Sequence, residues 1–173
     1  MKPLFLVGYM GCGKSTIGRK LARVLRLPFR DTDNCIEERE GATVFDIFHY
    51  EGEERFRTIE REVLEEVIAA EGAAVISTGG GLPAWGDNME RMNEVGRTIY
   101  LKRSAENIAS RLSPYGRQKR PRLRGLNDEE LVVFMRQDMA QRDPFYSQAL
   151  QVVECEGKSD EAILREIIDF EAE

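Results

Sequence analysis

Residues Gly8-Tyr9-Met10-Gly11-Cys12-Gly13-Lys14-Ser15 place glycine, lysine and serine in the order G-x-x-x-x-G-K-[ST], a spacing whose chemistry is the binding of phosphate. Glycines let successive backbone N–H groups turn inward around phosphate oxygens, and a helix opening at the lysine adds the positive end of its dipole. Lys14 reaches the β- and γ-phosphates, the Ser15 hydroxyl can ligate Mg2+, and Gly11, Cys12, Gly13 and Thr16 complete a cradle for a nucleoside triphosphate. Such a cradle does not say what receives the phosphoryl group, since ATPases, GTPases and small-molecule kinases all use it.

The acceptor must be read from other residues. In Asp31-Thr32-Asp33, Asp31 can hold Mg2+ through water, while Asp33 can hydrogen-bond an acceptor hydroxyl and take its proton. The same residues also fit an Asx turn capping a helix over 34–40. Thr78-Gly79-Gly80-Gly81 suits a backbone that a substrate approaches closely, and equally suits a flexible turn before Leu82-Pro83. Arg57, with Glu60 three residues on to orient it, and Arg142 in Arg142-Asp143-Pro144-Phe145-Tyr146 carry guanidinium groups that grip a carboxylate bidentately. Each arginine alone also reads as an ordinary surface residue. Residues 111–125 hold Arg111, Arg117, Lys119, Arg120, Arg122 and Arg124 with no acid, beside Pro114, Gly116, Pro121 and Gly125. That composition predicts a mobile basic loop acting as a lid that closes over ATP, excludes water and supplies an arginine to the transferring phosphoryl group. A solvated basic loop and a nucleic-acid contact are the other readings.

The elements that must position these residues are short β-type runs alternating with helical periods. The runs are 4–7, 73–77, 98–101 and 151–155, with a further short strand near Phe29 and Arg30 just before Asp31. Ile17, Leu21 and Val24 predict the buried stripe of a helix that opens at the cradle. Phe56, Ile59, Val63 and Val67 predict another helix from near Glu53, and 131–140 and 160–170 two more, the last capped by Ser159. Strands joined through helices give a parallel sheet of about five strands with helices on both faces, which binds ligands at the C-terminal strand ends. The expectation is one α/β domain over 1–173, a three-layer sandwich carrying the mobile lid.

Composition removes several function classes. With 25 Lys plus Arg against 31 Asp plus Glu, the net charge of −6 opposes a general binder of nucleic acid or anionic membrane. A single histidine, His49, leaves Ser-His-Asp hydrolysis and multi-histidine zinc sites with almost nothing to use. Cys12, Cys35 and Cys155, an odd number at wide spacings, fit neither a disulfide framework nor a Cys-x-x-Cys metal site, and point to a reducing cytoplasm. The opening apolar run is too short for a signal peptide or a membrane span. A monomer is the expected state, since no long apolar stripe marks an obligate interface.

Taken in order, the cradle, Asp31-Thr32-Asp33, Phe56-Arg57 with Glu60, Gly79-Gly80-Gly81, Arg120-Pro121 and Arg142-x-Pro144-x-Tyr146 resemble the shikimate kinases, small P-loop phosphotransferases of the nucleoside-monophosphate-kinase type. The resemblance spans essentially the whole chain. It implies that Asp33, Arg57, Gly80 and Arg142 bind shikimate, the arginines on its carboxylate and Asp33 on its ring hydroxyls, with Gly79 and Gly81 beside them. It implies that residues 11–16 hold ATP, that Ser15 and water-linked Asp31 position Mg2+, and that Arg120 and Lys14 stabilise the transferring group. The implied product is shikimate 3-phosphate, on the route to chorismate and the aromatic amino acids. One departure is Arg122, where the family usually has leucine after the lid proline. A gluconate or nucleotide kinase shares the cradle and lid but has less use for two arginine anchors and a triple glycine. A regulatory nucleotide-binding protein without turnover would be expected to have lost Lys14, Asp33 or the lid arginine.

Overall fold

The Leu4–Val7 run is apolar and buried at every position, as a strand covered on both faces requires. In the computed structural model, which describes residues 1–170, this run is β1, the central strand of a five-stranded sheet ordered β2-β3-β1-β4-β5. The other strands are β2 (Phe29–Asp31), β3 (Val75–Ser77), β4 (Arg97–Lys102) and β5 (Gln151–Glu154). Every pairing is parallel, with Leu4 opposite Val75 on one side and Arg97 on the other.

Helix α1 (Lys14–Leu25) leads from β1 to β2. Helices α2 (Thr32–Glu40), α3 (Val44–Glu51) and α4 (Glu53–Ala69) lead from β2 to β3. A 3-10 turn at Leu82–Ala84 and α5 (Asn88–Val95) precede β4, and α6 (Ala105–Arg111), α7 (Pro114–Gln118), a second 3-10 turn at Pro121–Leu123 and α8 (Asp128–Tyr146) precede β5. The last element is α9 (Asp160–Asp169), capped by Ser159, whose hydroxyl accepts from Ala162 N. The chain leaves β1 toward one sheet edge, and from β2 onward every crossover moves toward the other. Right-handed connections therefore put α1 on one face and the later crossover helices on the opposite one. Helix α9 packs against α1, closing the first layer. The direction of winding reverses between β1 and β3, so the crevice for a ligand opens at their C-terminal ends.

Strand positions follow the expectation to within a residue or two, and Phe56, Ile59, Val63 and Val67 are all buried on α4. Three details differ. Val24 is 57% exposed, because Ile17, Gly18, Leu21 and Ala22 are the buried residues of α1 and Val24 lies on the edge of that stripe. Helix α8 runs past the expected residue 140 through Pro144 to Tyr146, so Arg142 projects from a helix rather than from a loop. Segment 111–125, expected as a loop, is largely helical turns. Pro114, counted there among the loop-forming residues, instead opens a capped helix: the Ser113 hydroxyl accepts from Gly116 N at 3.0 Å, and the proline stands at the start of α7 where no N–H is needed.

Candidate active site

The phosphate loop connects β1 to α1, and Gly8, Gly11 and Gly13 take φ of 148°, 77° and 100°, values that side-chain-bearing residues rarely adopt. Cys12 N donates to Tyr9 O at 3.2 Å, closing the turn. The Cys12 thiol is buried in the core, while its carbonyl accepts from Arg103 Nε at 3.0 Å. Lys14 Nζ is buried and spans the loop, donating to Gly8 O at 2.6 Å and Tyr9 O at 3.0 Å. A Cβ on Gly8 would lie 2.9 Å from both Cys12 Sγ and the backbone oxygen of Leu101. Gly8→Ala is therefore expected to cost about 2 kcal/mol or more of stability and to abolish nucleotide binding, as a melting curve and an ATP titration would read.

Asp31 caps α2 with one carboxylate oxygen and meets Ser15 with the other. Its Oδ2 accepts from Ser15 Oγ at 3.0 Å, and its Oδ1 accepts from Asp33 N at 3.0 Å and Asn34 N at 3.3 Å, capping α2. Among the described residues no group of three or more His, Cys, Asp or Glu side chains could hold a metal ion. Ser15 and Asp31 instead offer two hard oxygens beside the phosphate loop. That donor set suits Mg2+, which keeps several waters and takes phosphate oxygens rather than a full protein cage.

The glycine triplet follows β3 at the same edge. Gly79 N donates to Thr32 Oγ1 at 2.9 Å, and Tyr146 OH donates to Gly80 O at 2.5 Å, so α2 and α8 both hold it. A Cβ on Gly79 would stand 2.7 Å from Asp33 Oδ1, one on Gly80 would stand 3.4 Å from Arg142 Nη1, and one on Gly81 would enter the Arg57 guanidinium, 2.6 Å from Nη1 and 2.8 Å from Cζ. The triplet is thus the surface on which Asp33, Arg57 and Arg142 converge, which a turn serving flexibility alone would not require.

Arg57 Nη1 donates to Glu60 Oε1 at 2.7 Å, and both residues are buried. Burial pushes the Glu60 carboxyl up to about 7, although Arg57 pulls it down. Asp33 is pushed up to about 6, first by burial and then by the Asp31 charge, against the pull of Lys14. Arg57 Nε is a buried donor without a partner. Arg142 lies over the Tyr9 ring at 5.7 Å, with its Nε 3.8 Å from Asp138 Oδ1. A cavity of about 680 Å3 joins the two halves, bringing Lys14, Ser15, Asp33, Gly79 and Gly80 together with Arg120 from the segment 111–125. Arg120 is half-buried and donates to Gly116 O at 2.8 Å. Thr16 and Asp31 line the same space, whereas Gly81, Arg57 and Arg142 do not line it; the two arginines lie against Gly81 and Gly80 beside it.

Two participants carry no sequence signal. Arg111 lines the cavity although nothing distinguishes it from the other cations of its segment. Tyr9 OH donates to Asp138 Oδ2 at 2.6 Å across 129 residues of sequence, a pairing that no local spacing announces.

The sequence profile described as shikimate kinase matches residues 10–171. A shikimate kinase of Parabacteroides distasonis is 46% identical over 167 residues, 96% of this chain and 95% of that protein. Among solved structures, the shikimate kinase of Bacteroides thetaiotaomicron superposes with a TM-score of 0.88 at 41% identity, covering 98% of this chain and 99% of that one. That of Acinetobacter baumannii, in complex with shikimate, does so with a TM-score of 0.85 at 34% identity, covering 97% and 91%. A phosphate loop and an arginine-lined glycine backbone facing one cavity accord with these matches, which run the length of the chain: it belongs to the shikimate kinase family.

Proposed function

We propose that this protein transfers the γ-phosphoryl group of ATP to the 3-hydroxyl of shikimate, giving ADP and shikimate 3-phosphate, with Mg2+ held by Ser15 and, through water, by Asp31. The observation that carries the reading is the convergence of Asp33, Arg57 and Arg142 on Gly79–Gly81 at the edge of the cavity that Lys14 enters. Two guanidinium groups suit a carboxylate, and the unpartnered Arg57 Nε is a donor ready for one of its oxygens. Asp33 then faces the ring hydroxyls and takes the proton of the attacking one. Lys14 and Arg120 stabilise the charge on the transferring group, and segment 111–125 closes as a lid that keeps water from it. Bound Mg2+ neutralises phosphate charge and fixes the phosphates' orientation. A monomeric, cytoplasmic enzyme on the route to chorismate completes the reading.

ADP release from the purified protein with Mg·ATP and, separately, shikimate, gluconate, AMP or no acceptor tests it. Shikimate-dependent release is the expected result; dependence on gluconate or AMP, or silence with all acceptors, would reject the assignment. Because Asp33 must be ionised to accept the proton and its carboxyl is pushed up to about 6, kcat/KM for shikimate is expected to fall as pH drops through about 6. A profile flat from pH 8 to pH 5 would remove Asp33 from the proton transfer.

A further inference from the structure

Asp138 lies on the α8 turn preceding Arg142, and its side chain is 8% exposed. Three groups from three parts of the fold surround its carboxylate. Tyr9 of the phosphate loop donates to Oδ2 at 2.6 Å; Arg142 Nε and Arg122 Nη2 lie 3.8 Å and 3.7 Å from Oδ1. Arg122 belongs to the 3-10 turn of segment 111–125, is 56% exposed, and stacks over the Phe134 ring at 5.0 Å. Burial and the hydrogen bond to Asp138 hold the Tyr9 hydroxyl far above its ordinary range, so Tyr9 stays a neutral donor to the carboxylate that the two arginines approach. One oxygen is thus shared by two guanidinium groups, neither at hydrogen-bond distance.

That arrangement links two competitions. Arg142 divides its charge between Asp138 and whatever anion occupies the acceptor site, while Asp138 divides its own between Arg142 and Arg122. When Arg122 draws on the shared oxygen, Arg142 is released toward the acceptor; when an acceptor carboxylate takes Arg142, Asp138 is released toward Arg122. By linkage the two effects have the same size. We propose that Asp138 is a positioning residue that couples closure of segment 111–125 to acceptor binding, with Arg122 as its partner on that segment. This rests on the proposed reading of Arg142 as a carboxylate anchor.

The test is a double-mutant cycle on the full chain, read as KM and kcat for shikimate. A second readout is the shikimate Kd from the fluorescence of Trp85, the only tryptophan, whose ring lies 5.7 Å from the Arg57 guanidinium. Arg122→Leu is expected to raise both KM and Kd for shikimate by about fivefold with kcat nearly unchanged. Arg122→Lys, which keeps the charge, is expected to restore most of the loss. Arg124→Leu removes a cation that donates only within its own segment, to Gln118 O at 2.6 Å, and is expected to change neither constant. In an Asp138→Asn background, Arg122→Leu is expected to have no further effect. An Arg122→Leu protein with wild-type KM and Kd would overturn the proposal, and so would the same fivefold loss in both backgrounds. Because Arg122 is exposed, the single variant decides the first point even if Asp138→Asn fails to fold. A wild-type protein with no shikimate-dependent turnover would instead reject the functional reading beneath it.

Discussion

Asp33→Asn is expected to yield a protein that melts higher than the wild type at pH 8 and turns over about 10²- to 10⁴-fold more slowly, with ATP affinity little changed. The two effects have one origin. Folding moves the Asp33 carboxyl from 3.8 up to about 6, chiefly through burial, so above pH 6 the folded protein holds a charge that its site disfavours. The unfolded chain ionises the same group freely, and the folded state therefore carries the whole penalty at pH 7 and above, about 2 to 3 kcal/mol. Below about pH 3 both states are protonated and the penalty disappears. Asparagine never incurs it. The variant should melt about 5 °C higher at pH 8 and no higher than the wild type at about pH 3. Calorimetry at the two pH values, beside turnover, separates this from simple damage: a misfolded variant would be slow and also melt lower. A variant with wild-type kcat would mean that another group takes the proton.

Gly81→Ala carries the second large effect and acts on the other half of the site. The new Cβ would sit among the Arg57 guanidinium atoms, 2.6 Å from Nη1 and 2.8 Å from Cζ. Those atoms end a flexible side chain, so the backbone can stay while Arg57 moves aside. Losing a bidentate, charge-assisted grip on a carboxylate then raises the shikimate KM about 10²-fold, with the ATP KM unaffected. Gly80→Ala is the internal comparison, because its Cβ would meet Arg142 Nη1 at 3.4 Å, close enough to crowd but not to displace. A rise of only a few-fold is expected there. Equal effects at the two positions, or a matching loss of ATP affinity, would count against Arg57 as the dominant anchor.

What the sequence disclosed and what it withheld divide along physical lines. The phosphate loop was legible because its chemistry needs contiguous residues whose glycines, lysine and serine are individually constrained. Arg57 with Glu60 was legible as a helical i, i+3 pair, and the ion pair stands at 2.7 Å. Asp31 was ambiguous on local grounds because one oxygen caps α2 while the other faces Ser15 beside the phosphate loop. The helices α3, α5, α6 and α7 escaped notice for want of period, and α2 was anticipated only through its Asx cap. Thr32 and Ile36 are the buried residues of α2, and Ile47 that of α3, too few to show a stripe. Segment 111–125 was misread as a loop because its prolines and glycines suit loops, while Pro114 serves a helix start equally well. The grouping of Tyr9, Arg122 and Asp138 depends on how the phosphate loop, the second 3-10 turn and α8 meet in space.

The order of the sheet has a consequence for the chain as it is made. β1 forms hydrogen bonds with β3 and β4 only, and its partners begin at Val75 and Arg97. A ribosome adding about 5–20 residues per second needs about 4 to 15 s to cross the interval of roughly seventy residues that separates Leu4 from Val75. Throughout that time Leu4-Phe5-Leu6-Val7 is an apolar segment with both edges unpaired, the sort of sequence that holdase chaperones bind and that aggregates when they are scarce. The phosphate loop hangs from this strand, so it acquires its shape only after β3 and β4 have emerged. ATP is therefore expected to assist the last stage of maturation of the nascent protein and none of the earlier ones.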